Sequence, residues 1–427
     1  MRAQFAIVLI AGLAGSSQSA GEQHWNQFRG PRGDGQVRTS HLPLQWSESK
    51  NIRWKTAIHG KAWSSPVVWG DRIWVTSATE DGTRLYAICV DGESGRIVHD
   101  ITVFEIEEPM FCFAYNSYAS PTPVIEGDSL WVHYGSAGTA CLDTATGKVL
   151  WSRQDLPCDH HRGPGSSPIL FGDLIIINFD GYDLQYVVAL DKRTGETVWR
   201  RDRSIDYNTH DGDMKKAYCT PTVLEHDGRL QLVSPGAVGT VTYDPLTGEE
   251  LWKVHHGGYN AAARPLYAHG MVIISTEGGL RLLAVRPDGE GDVTETHIVW
   301  SYDRSTPTRP SQLVVGDHLY MVGDAGIVTC LDVRTGELVW VERMGGRHSA
   351  SPLHAAGRIY LFDEENASRV IQATPTGFQL LAENPLDQGC MASPAILDDA
   401  LILRTKTHLY RIEETAAANG GTTTSSN

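Results

Sequence analysis

Basic, aromatic and imidazole side chains stand shortly before a series of recurring prolines in this sequence. If each proline opens the innermost strand of one sheet in a closed ring, these side chains converge near one axis. Cationic groups gathered there would attract an anion and hold it through charge-assisted hydrogen bonds. The candidate ligand-binding residues are Asn116, Tyr118, His161, Arg162, His210, Lys215, Lys216, Tyr218, Asn260, Arg264, Arg309, Arg347 and His348.

The basic members of this set allow three interpretations. They could form a positive mouth for an anionic small molecule or glycan, such as a polycarboxylate, a sulfated sugar or a phosphate ester. They could instead pair with carboxylates of neighbouring loops and only rigidify that face. A catalytic pocket is the third interpretation, but we assign no catalytic residue, because the sequence contains no nucleophile elbow, P-loop or zincin helix.

Two neighbouring histidines raise the question of a metal. Asp159, His160 and His161 lie on one connection, and His210 and Asp211 lie on another. Such side chains ligate transition metals when a further ligand arrives from elsewhere. Adjacent residues of an extended chain point in opposite directions, so only one of the two neighbouring histidines is expected to face a shared site. We therefore assign no metal site.

The seven cysteines fall into two groups. Cys89, Cys141 and Cys330 each stand two residues before a motif aspartate, where we expect small buried residues with free thiols. The other four lie on or near the connections between repeat units: Cys112, Cys158, Cys219 and Cys390. If one pair forms a disulfide in an oxidising compartment, Cys112–Cys158 is the predicted pair, because both lie on neighbouring connections.

The elements that must position these residues are short strands in a repeat. Each unit has Ser, Thr or Arg before proline, an apolar run, a turn of the Gly-Asp type, a second run, and a strand ending in Asp-x-x-Thr-Gly-Glu before a tryptophan. The opening prolines are Pro66, Pro123, Pro168, Pro221, Pro265, Pro310, Pro352 and Pro394. A period of about 40–45 residues with four strands is typical of β-propeller blades. We predict an all-β, eight-bladed β-propeller.

The eighth unit, residues 393–413, has only three strands, and an unmatched outer strand stands at residues 51–58. Pairing the two would complete the eighth blade and remove the exposed edges of an open ring. We therefore predict a single propeller domain over residues 51–413. Residues 21–50 should form an N-terminal extension packed on the ring, and residues 414–427 a disordered tail.

The start of the chain predicts export. Arg2, an apolar run over residues 5–14 and small residues up to Ala20 have the pattern of a secretory signal peptide over residues 1–20. No cysteine follows that run, so a lipid anchor is disfavoured, and no other apolar stretch is long enough to cross a membrane. We therefore expect a soluble protein of the periplasm or extracellular space that does not span a membrane. We also expect a monomer. A net charge of −15 argues against nucleic acid as a partner, and 41% apolar residues exclude a globally disordered chain.

The blocks beginning at Asp143, Asp191, Asp244 and Asp332 resemble the tryptophan-docking motifs of pyrroloquinoline quinone (PQQ) repeat propellers. The resemblance covers about residues 51–413, and the opening Trp-Asn-Gln-Phe-Arg-Gly-Pro resembles exported PQQ-like propellers of planctomycete-type bacteria. That superfamily includes calcium- and PQQ-dependent alcohol dehydrogenases and the non-enzymatic BamB component of outer-membrane assembly. The adjacent cysteine pair of the dehydrogenases is absent here, as are a haem-attachment motif and the assembly factor's lipoprotein cysteine.

These observations predict an exported module that binds a ligand or a protein through one face, without catalysis of its own. One alternative is a small PQQ-dependent oxidoreductase, in which Lys216, Arg264 and Arg309 would clamp the cofactor's carboxylates. Another is an envelope protein-assembly scaffold of the BamB type. No cofactor is evident from the residues themselves, and the resemblance leaves PQQ open. The expected partner is an anionic small molecule, a glycan or an envelope protein.

Overall fold

The structure, a computed structural model, describes residues 24–39, 41–277 and 282–414. The predicted signal peptide and the predicted tail after Glu414 lie outside these residues. The described part forms eight antiparallel sheets arranged as the blades of a propeller. Its single regular helix is a short 3₁₀ helix over Gly212–Lys215. The prediction of an all-β, eight-bladed propeller is confirmed.

Two strands precede the first blade: β1 (Gln36–Val37) and β2 (Ile52–Ala57). Blade one comprises β3 (Val67–Trp69), β4 (Arg72–Ala78), β5 (Arg84–Asp91) and β6 (Ile97–Glu105). Blade two comprises β7 (Val124–Glu126), β8 (Ser129–His133), β9 (Thr139–Asp143) and β10 (Val149–Arg153). Blade three comprises β11 (Ile169–Phe171), β12 (Leu174–Asp180), β13 (Gln185–Asp191) and β14 (Thr197–Asp202). Blade four comprises β15 (Thr222–His226), β16 (Arg229–Pro235), β17 (Gly239–Tyr243) and β18 (Glu250–His255).

Blade five comprises β19 (Leu266–Ala268), β20 (Met271–Ser275), β21 (Leu282–Val285) and β23 (Ile298–Tyr302), with β22 (Gly291–Asp292) pairing in parallel with β18 of blade four. Blade six comprises β24 (Leu313–Val315), β25 (His318–Val322), β26 (Ile327–Asp332) and β27 (Leu338–Arg343). Blade seven comprises β28 (Leu353–Ala355), β29 (Arg358–Phe362), β30 (Ala367–Gln372) and β31 (Leu380–Pro385). Blade eight comprises β32 (Ala395–Leu397), β33 (Ala400–Arg404) and β34 (His408–Ile412), completed by β2.

The ring closes as the sequence predicts. Strand β2 pairs antiparallel with β34, with Trp54 opposite Arg411. The Trp54 indole then reaches the first blade, where its Nε1 donates to the Gly92 carbonyl oxygen at 2.8 Å. The two ends of the repeat region therefore share one blade, and the outer strand that blade eight lacks is supplied from the N-terminal side.

The repeated motif works as a turn that receives a tryptophan. The Asp191 carboxylate accepts the backbone N–H of Thr194 at 2.9 Å, and Gly195 adopts a φ of 75°. Trp151 of the preceding blade lies over this glycine, where an added Cβ would come within 2.6 Å of the ring, and its Nε1 donates to the Lys192 carbonyl. The same docking recurs for Trp54 on Gly95, Trp199 on Gly248 and Trp300 on Gly336.

A chain of hydroxyl groups links the innermost strands, and we call it the hydroxyl belt. In seven blades the second residue before the first strand carries a hydroxyl that accepts a backbone N–H from the preceding blade, at 2.8–3.1 Å. The belt residues are Ser65, Thr122, Ser167, Thr220, Ser311, Ser351 and Ser393. Arg264 takes the eighth place and has no hydroxyl, so the side-chain links are interrupted there.

One predicted register is wrong. Pro310 was expected to open blade six. Strand β24 begins instead at Leu313, which pairs with Tyr320 of β25. Gln312 therefore stands where the other seven blades carry proline, and Ser311 takes the place in the hydroxyl belt. The belt bond and the strand pairing fix this register, whereas the proline merely precedes it.

The N-terminal segment before β2 lies against the ring. Trp25 makes an antiparallel bridge with Val68, and β1 pairs in parallel with β28 of blade seven. Further on, the backbone N–H of Trp46 donates to the Asn384 side chain at 3.0 Å. Trp25 and Trp46 are 1% and 2% exposed, so this segment contributes to the core of the molecule.

Candidate functional site

A cavity of about 320 Å³ lies inside the ring, and we call it the axial pocket. Five members of the hydroxyl belt contribute to its wall, and Phe28 of the N-terminal segment lines it as well. Trp63, Tyr115 and Tyr218 supply aromatic surface, while Arg162 and Arg309 supply charge. Because the belt is fixed blade to blade by hydrogen bonds, the pocket is built on a rigid part of the fold.

Two sets of connections reach the pocket. The connections from an outer strand to the next inner strand carry Arg162 and Arg309, as the sequence analysis expects. The turns between the second and third strands of a blade carry Glu277 and Asp324, which are not among the residues predicted from the sequence. In an up-and-down sheet both sets of connections end on the same face, so the acidic turns meet the basic loops there.

Arg309 illustrates this meeting. Its Nη2 lies 2.9 Å from Asp324 Oδ2 and 3.9 Å from Glu364 Oε1, and its guanidinium carbon lies 4.9 Å from the centre of the Tyr115 ring. Its Nε is buried without a hydrogen-bond partner in the described part of the chain. The guanidinium is thus held by carboxylates and an aromatic face.

Glu364 organises the same wall from blade seven. Its side chain is 2% exposed, accepts hydrogen bonds from the Tyr115 and Ser349 hydroxyls, and lies 3.7 Å from the Arg347 guanidinium. Burial, followed by the hydrogen bond to Glu364, raises the pKa of Tyr115 to about 12. Tyr115 therefore stays a neutral donor at physiological pH.

Arg162 is likewise paired. Its Nη2 donates to Asp213 Oδ2 at 2.5 Å, at the start of the 3₁₀ helix. Its backbone carbonyl accepts from Asn116 Nδ2 at 2.9 Å. The two arginines of the pocket wall are therefore paired with carboxylates beside it, which matches the second of the three interpretations offered for the basic residues.

Lys216 and Tyr218 form a buried pair behind the wall. The ammonium Nζ lies 2.6 Å from the Tyr218 hydroxyl, and Lys216 is 0% exposed. Burial lowers the pKa of Lys216 to about 8, and burial raises that of Tyr218. Tyr218 lines the axial pocket, whereas Lys216 supports it from behind.

Glu277 is a titratable group of the pocket wall whose pKa lies near physiological pH. Burial, with a smaller contribution from Asp324, raises its pKa to about 7, and Arg309 and Arg162 oppose that shift. A signal for it was present in the sequence. Glu277 stands two residues after the end of β20, the same place that Asp324 holds after β25 in blade six.

Of the thirteen predicted binding residues, five line the axial pocket, namely Asn116, Arg162, Tyr218, Asn260 and Arg309. Tyr118 lies instead in a side pocket of about 420 Å³ that it shares with Lys61 and Cys112. Its hydroxyl donates to the Met110 carbonyl at 2.8 Å.

The remaining histidines and cations lie outside the pocket wall. His348 is 1% exposed, and its ring nitrogens face the carbonyl oxygens of Phe362 and Gly345. His161 contacts the rings of Phe111 and Tyr182. The others lie on the surface or within the 3₁₀ helix: His210, Lys215 and Arg347.

Arg264 is not at the mouth that the sequence predicted. It is 3% exposed, its Nη1 donates to the Phe28 carbonyl at 2.7 Å, and its Nε donates to Thr222 Oγ1 at 3.0 Å. Gly33 lies so close that an added Cβ would come within 2.3 Å of the guanidinium. The N-terminal segment thus covers this arginine, a contact that repeat spacing alone did not reveal.

The pair expected if any disulfide forms, Cys112–Cys158, is not bonded, because each of the seven cysteines is a free thiol. Cys158 Sγ lies 3.9 Å from His160 Nδ1 instead. His160 Nε2 accepts the backbone N–H of Ser136, so it is used within the fold. Within the described ranges, no group of three or more His, Cys, Asp or Glu side chains is arranged to hold a metal.

The residues of the pocket do not fit a polycarboxylate cofactor such as PQQ. Arg162 and Arg309 already face carboxylates, and Glu277 would oppose another negative charge. Arg264, expected to clamp such a cofactor, is covered by the N-terminal segment. We therefore derive no redox step for this pocket.

The fold and the pocket together define a repeat β-propeller with tryptophan docking and an axial cavity. A family model described as outer membrane protein assembly factor BamB matches residues 39–155, 87–204 and 183–414. The chain belongs to this family.

The proteins that this chain resembles in sequence or in fold include assembly factors and an enzyme. BamB of Shewanella oneidensis is 23% identical over 310 residues, covering 67% of this chain and 72% of that protein. The crystal structure of BamB from Moraxella catarrhalis matches with a TM-score of 0.60 at 14% identity, covering 84% of this chain and 99% of that one. Quinohemoprotein alcohol dehydrogenase from Comamonas testosteroni matches with a TM-score of 0.66 at 10% identity, covering 92% and 81%. These structural likenesses show the fold alone.

Among the described residues, no helix is long and apolar enough to cross a membrane.

Proposed function

We propose that this protein is an exported binding module of the bacterial envelope whose axial pocket binds a small polyhydroxylated ligand, without chemistry of its own. One observation carries the proposal. The wall of the axial pocket combines hydroxyl and amide side chains, among them Ser120, Thr308 and Asn260, with several aromatic rings. Hydroxyl and amide groups can both donate and accept hydrogen bonds, so they match the hydroxyl groups of a polyol.

The rest of the pocket supports a sugar-like ligand. Trp63, Phe113, Tyr115 and Tyr218 offer aromatic surface to the apolar faces of a sugar ring. About 320 Å³ lies at the lower end of the range of small-ligand sites. Since the pocket cations are paired with carboxylates, a ligand of low net charge is favoured over a polyanion. The proposed ligand therefore carries less negative charge than the anionic ligand that the sequence alone suggested.

Calorimetry against a panel of neutral and singly acidic disaccharides tests this proposal. Arg309→Lys keeps the positive charge but removes the planar guanidinium from the pocket wall, and we expect at least tenfold weaker binding, equivalent to about 1.4 kcal/mol. Arg347→Lys is the matched control, because Arg347 faces the same Glu364 but is exposed. Failure of every saccharide to bind the unaltered protein would refute the proposal.

Export is supported by the basic start, apolar run and small-residue exit of residues 1–20. We expect the mature protein to begin near residue 20 or 21 and to be recovered from the periplasmic or extracellular fraction. N-terminal mass spectrometry of the native protein decides this. An intact Met1 on protein recovered from the cytosol would contradict export.

A second candidate is an envelope assembly scaffold, which the relatives named as assembly factors suggest. The observation that favours it is an apolar loop between β6 and β7, in which Met110, Phe111 and Phe113 are 51%, 63% and 48% exposed. A photoactivatable residue at position 111 should crosslink to an outer-membrane protein in intact cells. The same residue at the exposed Leu246 of blade four is the control, and equal crosslinking at both positions would exclude a specific docking role.

A further inference from the structure

The hydroxyl groups of the belt are used by the fold as acceptors. Each belt oxygen accepts one backbone N–H. A serine or threonine hydroxyl also carries one proton that it can donate. In the part of the chain that the structure describes, none of the seven donates that proton to a protein acceptor. The belt therefore holds a series of hydroxyl donors that the fold itself does not use.

Other buried hydroxyls of this protein do find an acceptor. Ser166 stands directly before the belt residue Ser167, and its hydroxyl donates to the Cys219 carbonyl oxygen at 3.0 Å. The Ser234 hydroxyl donates to Asn178 Oδ1 at 2.8 Å. Because buried polar groups are normally paired, the acceptor for the belt donors is expected to come from outside the chain.

Five belt residues lie side by side in the wall of the axial pocket. They precede the first strands of blades eight, one, two, three and four, which follow one another around the ring, and we call them the donor arc: Ser393, Ser65, Thr122, Ser167 and Thr220. Each is at most 4% exposed, and successive members are joined by N–H···Oγ bonds of 2.9–3.1 Å. The donor arc is therefore a fixed row of hydroxyl donors along one cavity.

Blade five contributes the opposite kind of group to the same cavity. Its belt position is held by Arg264, which has no hydroxyl, and its turn after β20 carries Glu277, which lines the pocket. An ionised carboxylate accepts hydrogen bonds and donates none. The pocket thus has donors along blades eight to four and an acceptor on blade five.

This polarity defines the ligand that fits. A group that accepts several hydrogen bonds and donates none is an oxyanion, such as a carboxylate or a sulfate ester. A neutral sugar hydroxyl at the donor arc would bring its own proton against a row of donors. Arg162 and Arg309 already face carboxylates, so a second negative charge on the ligand would be left uncompensated. The ligand that fits therefore carries one oxyanion group.

We propose that the donor arc binds the single oxyanion group of an acidic sugar, either a uronic acid or a sugar monosulfate. This inference rests on the proposed function, because it names the class of polyhydroxylated ligand. The arc hydroxyls donate to the oxyanion, and Glu277 accepts from the hydroxyl groups of the sugar. Blade two, at the middle of the arc, is three blades away from blade five, so the two negative charges belong to different sides of the ring.

Titration calorimetry of the full chain with three disaccharides of similar size tests the inference. The variable sugar is glucose in the first, glucuronic acid in the second and glucose 6-sulfate in the third. We expect at least one acidic disaccharide to bind about tenfold tighter than the neutral one, because hydrogen bonds to a charged acceptor are stronger. The tighter of the two acidic ligands identifies the oxyanion. If the neutral disaccharide binds as well as both acidic ones, the inference is overturned and the proposed function stands. If none of the three binds, both are refuted.

Two belt serines give matched variants. Ser167→Ala and Ser351→Ala each remove one belt hydroxyl and leave one backbone N–H without its acceptor, but of these two residues only Ser167 lines the pocket. Ser167→Ala should weaken binding of the acidic disaccharide about fivefold, and Ser351→Ala should leave it unchanged. Thr220→Val, which keeps the shape of the side chain, gives the same test if Ser167→Ala does not fold. Equal affinities in the arc variant and in Ser351→Ala would contradict the assignment.

Discussion

Arg264 Nη1 donates a hydrogen bond of 2.7 Å to the carbonyl oxygen of Phe28, 236 residues earlier in the chain. This bond joins the one belt position without a hydroxyl to the segment whose side chain at Phe28 lines the axial pocket. The interruption of the hydroxyl belt is therefore one of the places where the N-terminal segment is held. An arginine selected from the sequence for ligand binding instead builds the pocket.

Replacing this arginine should loosen the segment. Arg264→Met leaves the Phe28 carbonyl and Thr222 hydroxyl without their donor, and we expect a loss of about 2–3 kcal/mol in the free energy of unfolding. Chemical denaturation followed by tryptophan fluorescence measures it. Arg193→Met, at an arginine 71% exposed, is the control and should change little. Equal stability of the two variants would show that the Phe28 contact is unimportant.

The closing strand should depend on its docked tryptophan. Trp54→Ala removes both the hydrogen bond to Gly92 and the packing on Gly95, and we expect a loss of about 3 kcal/mol. Trp54→Phe keeps a ring but loses the indole N–H, so we expect about 1 kcal/mol. Urea unfolding of both variants separates packing from the hydrogen bond. A Trp54→Ala protein as stable as the parent would contradict closure through this contact.

The hydroxyl belt predicts a clear difference between two small substitutions. Ser351→Ala deprives the buried N–H of Ser311 of its acceptor, and we expect a cost of about 1–2 kcal/mol. Ser351→Thr keeps the hydroxyl, as Thr122 and Thr220 do in their blades, and should cost less than half as much. If both variants lose the same stability, crowding and not the hydrogen bond is responsible.

Glu277 should make stability depend on pH. Its pKa is raised to about 7 in the folded protein, above the ordinary value of 4.5. The stability associated with its protonated form is therefore fully present below about pH 4.5 and is lost as pH rises through about 7. Glu277→Gln should remove that loss. The stability of the variant relative to the unaltered protein should therefore be higher at pH 8 than at pH 5. If the Glu277 side-chain carboxyl resonance titrates near pH 4.5 by NMR, the prediction is contradicted.

All seven cysteines should be free, reduced thiols. Because each of the seven is free in the structure, denatured protein prepared without reductant should react with seven equivalents of a thiol reagent. In the folded protein the reaction should be slow, since burial raises the pKa of Cys112 to about 11 and also raises that of Cys158. Intact-mass analysis gives the count. Five reactive thiols would indicate one disulfide.

Local motifs were sufficient to predict the architecture. The Asp-x-x-Thr-Gly turn is stabilised by its own aspartate, and its glycine receives the tryptophan of the preceding blade, so the repeat encodes both the strand order and the contact with the neighbour. The unmatched strand at Trp54 then fixed the closure. The pocket was predicted only in part, because selection followed one set of connections and left out the acidic turns that hold Glu277 and Asp324.

By itself, then, the sequence determined the number of blades, the closure and the face on which the long loops gather, because these depend on short-range turns and nearest-neighbour docking. Only the tertiary structure decided which charges pair on that face, where Arg264 points, how blade six is aligned and that Cys112 and Cys158 are free thiols. Those outcomes depend on distances between side chains that are far apart in the chain. Repeat spacing fixes which loops share a face but not which atoms on that face come into contact.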